Sequence, residues 1–182
     1  MTTPSKTPNH FGLFTLPERY RLDPGDLDER YRELQRKVHP DRFASASDQE
    51  RRISIEQAAN INDAYQTLKD PLKRARYLLQ LRSQWRDDES RTTRDVDFLM
   101  EQMELREALD GVPGYPQPLV ALEELAARVN TDIAELDAAL ALALDQTGDV
   151  DAAHDAVVKL QFFVRLHSEI AEMEASFEDA MY

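Results

Sequence analysis

His39–Pro40–Asp41 lies between two helical patterns in this 182-residue chain, and Arg42 and Phe43 follow it directly. The three residue types suit a docking loop. Pro40 fixes its own φ, so a loop that carries it loses less entropy on binding. Asp41 can accept a charge-assisted hydrogen bond, and His39 can donate or accept one. Taken alone, the tripeptide also reads as ordinary helix punctuation, with a cap and a turn. A catalytic reading would make His39 and Asp41 a general acid/base pair. The sequence offers it no nucleophile or metal partner. There is no Cys, and His10, His154 and His167 show no ligand spacing. No metal site and no cofactor are expected.

The elements that must position this tripeptide are helical. Asp23–Pro24 reads as an N-cap followed by Pro at the first helical position. Leu27, Tyr31, Leu34 and Val38 then recur on one helix face, which ends at His39–Pro40. The exposed side of that helix carries Arg32, Arg36 and Lys37, with Arg30 on its flank. A second long helix starts near Ser47 or Asp48, with core positions Ala58, Ile61, Tyr65 and Leu68. Asp70–Pro71 repeats the cap-plus-Pro signature and opens a third segment, Leu72 to Leu81. Ahead of these, His10 to Leu16 is a short apolar segment, and residues 1–9 form a loose tail.

The polar stretch 83–94 is a linker, with Trp85 expected to tuck against a neighbour. Three further helices follow. They run from Asp95 to Asp110, from Leu119 to about Gln146 and from Val150 to near Met181. The second carries a stripe of Leu122, Leu125, Val129, Ile133, Leu136, Leu140 and Leu144. The third has Ala153, Val157, Leu160, Val164, Ile170 and Phe177 among its apolar positions. Gly111 to Pro118 breaks the first of these helices, and Gly148 is a C-cap for the second. Short breaks between three helices suggest an antiparallel bundle. The expected fold is all-α: a helical hairpin unit over residues 10–82, then a three-helix unit over 95–182.

Composition narrows the function classes. The formal net charge is −13, from 22 Lys+Arg and 35 Asp+Glu. That charge argues against a chain that coats nucleic acid or anionic lipid. It is divided unevenly: residues 1–82 carry a net +3 and residues 83–182 a net −16. Such asymmetry suggests two surfaces for different partners. The absence of Cys excludes disulfides, thiolate metal sites and thiol nucleophiles. No secretory or transit pattern and no membrane-length apolar run is seen, so a cytoplasmic location is expected.

The flanks of His39–Pro40–Asp41 carry a further pattern. Ile61–Asn–Asp–Ala–Tyr65–Gln–Thr–Leu68–Lys–Asp–Pro71 follows about twenty residues later, and then Arg74–Ala–Arg–Tyr77. Helix, His-Pro-Asp loop, helix with Ala-Tyr-x-x-Leu, then Asp-Pro and Arg-Ala-x-Tyr resembles the J-domain of DnaJ-type co-chaperones over roughly residues 11–77. The resemblance implies that His39, Pro40 and Asp41 trigger ATP hydrolysis in a heat-shock ATPase chaperone. It implies that Arg30, Arg32, Arg36, Lys37 and Arg42 dock on that acidic partner. Basic residues at such a surface act chiefly on association rate and salt dependence. A helix-turn-helix reading of residues 27–68 fits poorly with a net charge of only +3 and an acidic remainder.

The second half has its own signature. Phe98–Leu–Met–Glu–Gln–Met–Glu–Leu–Arg–Glu107 and Lys159–Leu–Gln–Phe162, together with Pro71–Leu–Lys–Arg–Ala–Arg–Tyr–Leu–Leu79, resemble the HscB family of J-proteins, which serve iron–sulfur cluster assembly. This resemblance spans residues 11–180. It implies that the C-terminal bundle binds an IscU-type scaffold protein and delivers it to an HscA-type ATPase chaperone. The family's scaffold-binding positions match Leu99, Met100, Met103, Glu104, Glu107 and Phe162. A further position that is acidic in the family falls at Gly111, and the Cys-bearing zinc module of some eukaryotic relatives is absent.

Spacing alone leaves two readings of this helix. Leu99 and Met103 are four apart, as are Met100 and Glu104, and Glu107 is three further on, which makes one broad stripe. Met adapts to irregular partner surfaces, and flanking Glu residues can select a basic partner. Apolar helical stripes are more often core, however. Of Phe162 and Phe163, one should face the core and one should not. Three functions are therefore to be told apart. They are an HscB-like adaptor, a J-protein serving another client, and an enzyme or nucleic-acid binder that happens to contain His-Pro-Asp.

Overall fold

The computed structural model describes residues 9–39, 47–82 and 95–180. Residues 1–8 of the expected tail, the linker with Trp85, Met181 and the tripeptide's Pro40 and Asp41 lie outside these, as does Arg42. Among the described residues every regular element is helical. The chain divides into two compact units, residues 1–83 and 84–182.

The first unit contains α1 (His10–Leu13), α2 (Pro24–Val38), α3 (Asp48–Lys69) and α4 (Pro71–Leu81). Each long helix starts on a side-chain cap. Asp23 accepts from the amides of Gly25 and Asp26. Ser47 and Glu50 form a reciprocal capping box, and Asp70 accepts from the Lys73 amide. These bonds satisfy amides that a helix start leaves without partners. Pairing runs antiparallel between α2 and α3. Asp28 faces Tyr65, Tyr31 faces Asn62, and Val38 faces Ser54. The Tyr65 hydroxyl donates to Asp28 at 2.8 Å and accepts from Lys69 at 2.7 Å, while its ring stacks on Tyr31 at 3.9 Å. These contacts fix the register of the hairpin. Phe11, Phe14, Tyr20, Leu27, Ile61, Ala64, Leu68, Leu78 and Leu79 are buried in this unit. Tyr31, Leu34 and Ala58, expected on the core face, are only half-buried, and Ala64 lies deeper than Ala58.

The second unit contains α5 (Val96–Gly111), a 3-10 turn at Val112–Gly114, α6 (Pro118–Leu142), a π turn at Ala143–Thr147 and α7 (Val150–Asp179). Asp95 caps α5 by accepting from Phe98, and Asp149 caps α7 by accepting from Ala152. Gly148 has φ 69°, so the chain turns out of the π turn through a left-handed residue, where glycine carries no Cβ penalty. α5 and α7 run parallel, with Asp95 beside Lys159 and Arg106 beside Glu169. α6 runs against both in an up-down-up bundle. The core is Phe98, Leu105 and Leu109 of α5 with Leu122, Leu125 and Val129 of α6 and Phe163, Leu166 and Ile170 of α7. Val164, expected among the apolar inward positions, is 41% exposed. It follows Phe163 by one residue, and a 100° step carries it off the buried face.

Candidate functional site

The first face belongs to α2. Arg32, Arg36 and Lys37 are exposed on it, and Arg36 donates to the carbonyl of Arg32 at 3.3 Å. His39 is exposed at the end of the helix and leaves helical backbone with ψ 130°, as a residue before proline must. The hydroxyl of buried Ser54 on α3 donates to the carbonyl of Val38 at 2.7 Å. That bond anchors the last turn of α2 one residue before His39.

Arg30 does something different from its neighbours. Its Nε donates to Asp26 at 2.6 Å, and its Nη1 donates to the carbonyls of Phe14 and Thr15, both at 3.0 Å. Those carbonyls belong to the turn that ends α1. There Thr15 has φ 55°, while Leu16 donates to Phe11 and Thr15 to Gly12. This is a Schellman arrangement with a β-branched residue at the left-handed position, a conformation that costs about 1–2 kcal/mol. Arg30 is thus a structural clasp on a strained turn. Its hydrogen bond to Asp26, ahead of its loss of hydration, holds its pKa above the ordinary value. Arg30, which the resemblance places among the docking residues, thus has its Nε engaged by the Asp26 carboxylate and its Nη1 by the backbone of the first unit's own turn.

The second face belongs to α5. Met100 is 57% and Met103 66% exposed, and Glu104 and Glu107 are exposed beside them. Leu99 is half-buried. The core work of this helix falls instead to Phe98, Leu105 and Leu109, which lie within about 40° of one another on a 3.6-residue wheel. That leaves the methionine side to solvent. Val96 is 65% exposed and lies four residues before Met100, so Val96, Met100, Met103 and Glu107 form one solvent-facing row. Sequence reading missed Val96 as a member. The same four-and-three spacing that joins Met100 to Met103 and Glu107 would have found it.

Phe163 is buried and Phe162 half-buried. Phe162 packs edge-on against Phe98 at 5.8 Å and against Phe163 at 5.3 Å, with the Arg106 guanidinium 5.9 Å above its ring. Arg106 is held there by a two-pronged pair with Glu169. Phe162 therefore borders the α5 face while resting on the aromatic core. The start of α5 is held by Lys159, which bonds Asp95 at 2.6 Å and Asp155 at 3.0 Å. The Lys159 hydrogen bond is the main cause that keeps the Asp95 carboxyl below its usual range. Among the described residues no group of three or more His, Asp or Glu is placed to hold a metal ion, and no helix is long and apolar enough to cross a membrane.

Residues 15–77 match the DnaJ domain and residues 94–171 the HSCB C-terminal oligomerisation domain. A co-chaperone protein HscB homolog of Photobacterium profundum is 44% identical over 171 residues, covering 94% of this chain and 99% of that protein. The solved chaperone HscB from Vibrio cholerae superposes with a TM-score of 0.82 at 42% identity, covering 92% of this chain and 98% of that one. Human co-chaperone protein HscB superposes with a TM-score of 0.84 at 29% identity, covering 95% and 84%. A J-domain whose α2 ends at Val38, directly before His39, followed by an HscB-type bundle and matched nearly end to end at these identities, makes the chain a member of the HscB co-chaperone family.

Proposed function

We propose that this co-chaperone binds an IscU-type iron–sulfur scaffold protein on the α5 face, delivers it to an HscA-type ATPase chaperone, and stimulates that chaperone's ATP hydrolysis. The J unit is the chaperone-binding half. Arg32, Arg36 and Lys37 steer it onto an acidic surface, and His39, Pro40 and Asp41, with Arg42 beside them, deliver the trigger. Leu99, Met100, Met103, Glu104, Glu107 and Phe162 are the scaffold-binding set. The protein carries no active site of its own and works in the cytoplasm without metal, nucleic acid or membrane. Joining two weak interfaces in one chain raises the effective concentration of client at chaperone.

The observation that carries this reading is the exposure of Met100 and Met103 on a helix whose core positions lie elsewhere. Contiguous exposed apolar side chains mark interaction surfaces, and methionine is favoured on them because it adapts to its partner. The test is steady-state ATP hydrolysis by a purified HscA-type chaperone, with and without the scaffold. Stimulation by the wild type, lost in His39→Gln and enhanced when scaffold is added, supports the whole reading. Stimulation without any scaffold effect points to a J-protein with another client. No stimulation at all overturns the chaperone half.

A further inference from the structure

A groove of about 690 Å³ runs between α5 and α6, beside the Met100 row. Phe98, Leu136 and Ala139 contribute apolar lining. Its charged lining is mostly acidic, and the cations in it are already engaged. Arg128 pairs with Glu101 at 3.1 Å, and Lys159 is held by Asp95 and Asp155. Asp97, Glu104, Asp132 and Glu135 also line the groove. No cation among the described residues lies within ion-pair distance of any of these four, and the Arg128 charge reaches Asp132 only from beyond that distance. The Oδ2 atom of Asp132 is buried with no hydrogen-bond partner. Burial first, and the nearby Glu101 charge second, raise its pKa, and the Arg128 charge offsets part of that rise. These carboxylates are not clustered as metal ligands. They are spaced along an open trough, which suits a guanidinium or ammonium on a flexible stem whose methylenes lie on the apolar lining.

We propose that this groove receives a short basic segment of the protein that docks on the Met100–Met103 row, with a Lys or Arg side chain seated between Asp132, Glu135 and Asp97. The inference rests on the scaffold-binding reading above and adds a second contact on α6, opposite the helix that carries the first. Charge complementarity and continuity through Met100 and Glu104, which belong to both surfaces, point to one partner spanning the two.

The experiment is calorimetric titration of the full-length protein with an IscU-type scaffold at two salt concentrations. Three variants are compared with wild type: Asp132→Asn/Glu135→Gln, Ala139→Arg and Met100→Ala/Met103→Ala. The double carboxylate variant should bind about tenfold more weakly at low salt and show a flatter salt dependence. Ala139→Arg, which places a cation of the chain's own in the groove, should weaken binding similarly. Both should keep wild-type helicity and melting. If these two bind as wild type does while the methionine variant loses binding, the groove proposal is overturned and the docking row stands. If the methionine variant also binds normally, the scaffold-binding reading itself fails, and the groove proposal with it.

Discussion

The hydroxyl of Ser54 and the carbonyl of Val38 lie 2.7 Å apart, sixteen residues distant in sequence, with Ser54 only 2% exposed. Val38 is the last residue of α2, and its carbonyl has no intrahelical partner. Ser54 supplies that partner and ties the end of α2 to α3 immediately before His39. Ser54→Ala should cost about 1–3 kcal/mol, because it leaves a buried acceptor unsatisfied. Chemical denaturation measures that loss. Chaperone stimulation should fall as well under conditions where the variant is fully folded, since the exit from α2 is no longer held. Unchanged stimulation would mean that the tripeptide is positioned by other contacts.

Arg30 and its basic neighbours on α2 should separate in mutagenesis. Arg30→Gln removes both bonds to the α1 turn and should lower the melting temperature. It should change chaperone affinity less than substitutions on the exposed face do. Arg32→Glu combined with Arg36→Glu should leave melting nearly unchanged and weaken chaperone binding, most strongly at low salt. Equal affinity at low salt would remove that face from the encounter.

The two sides of α5 should separate in the same way. Met100→Ala with Met103→Ala truncates exposed side chains, so stability should change by less than about 1 kcal/mol. Scaffold binding should drop severalfold or more, as it does when interface anchors are truncated. Phe98→Ala opens the aromatic core and should cost about 3–5 kcal/mol. A thermal collapse of the methionine variant would show that these residues are core after all.

His10 gives the first unit a pH dependence. Its ring stacks on Tyr77 at 4.2 Å, and its Nε2 lies 3.7 Å from Asp63. Burial lowers its pKa below the ordinary 6.5, and Asp63 offsets part of that shift. The unfolded chain then binds a proton more readily than the folded one. Stability is therefore full above about pH 6.5 and declines as pH falls through that value toward the folded-state pKa. His10→Phe keeps a ring on Tyr77 and should flatten this slope between pH 7 and pH 5. Histidine titration by NMR should place the wild-type His10 below free histidine.

The helical hairpin, the bundle and most caps were readable because their signals are local. Asp23–Pro24, the start at Ser47 and Asp70–Pro71 each act within one turn of their own position. What stayed hidden depends on partners far away in sequence. Arg30 was read as a flank residue because the carbonyls it clasps lie fifteen and sixteen positions back. Ser54 carries no pattern that announces Val38. Spacing could not separate Leu99, Met100 and Met103 from core, because that depends on which side of α5 meets α6 and α7. Phe98, Leu105 and Leu109 settle it only once the bundle is assembled. The α5–α6 groove needs Asp132 and Glu135 from one helix and Asp97 and Glu104 from another, so no single stretch of sequence contains it.

Gly111 offers a gain of function. It follows Glu104 and Glu107 by seven and four residues, so it lies on their side of α5. Its backbone is helical, with φ −76° and ψ −19°, so glycine is not required for conformation. A Cβ built there would meet the Tyr115 side chain, its hydroxyl at 3.6 Å and two ring carbons at 3.9 and 4.0 Å, all ordinary contacts. Gly111→Glu should therefore fit without strain. Helix propensity should add up to about 0.5–1 kcal/mol of stability. A carboxylate at the C-terminal end of a helix opposes the dipole and offsets part of that gain. On the acidic face the new side chain extends the Glu104–Glu107 row by one turn. Scaffold binding at low salt should tighten, with Gly111→Gln as the neutral control. If Glu and Gln give the same affinity, the acidic side of α5 contributes solubility at this position and not recognition.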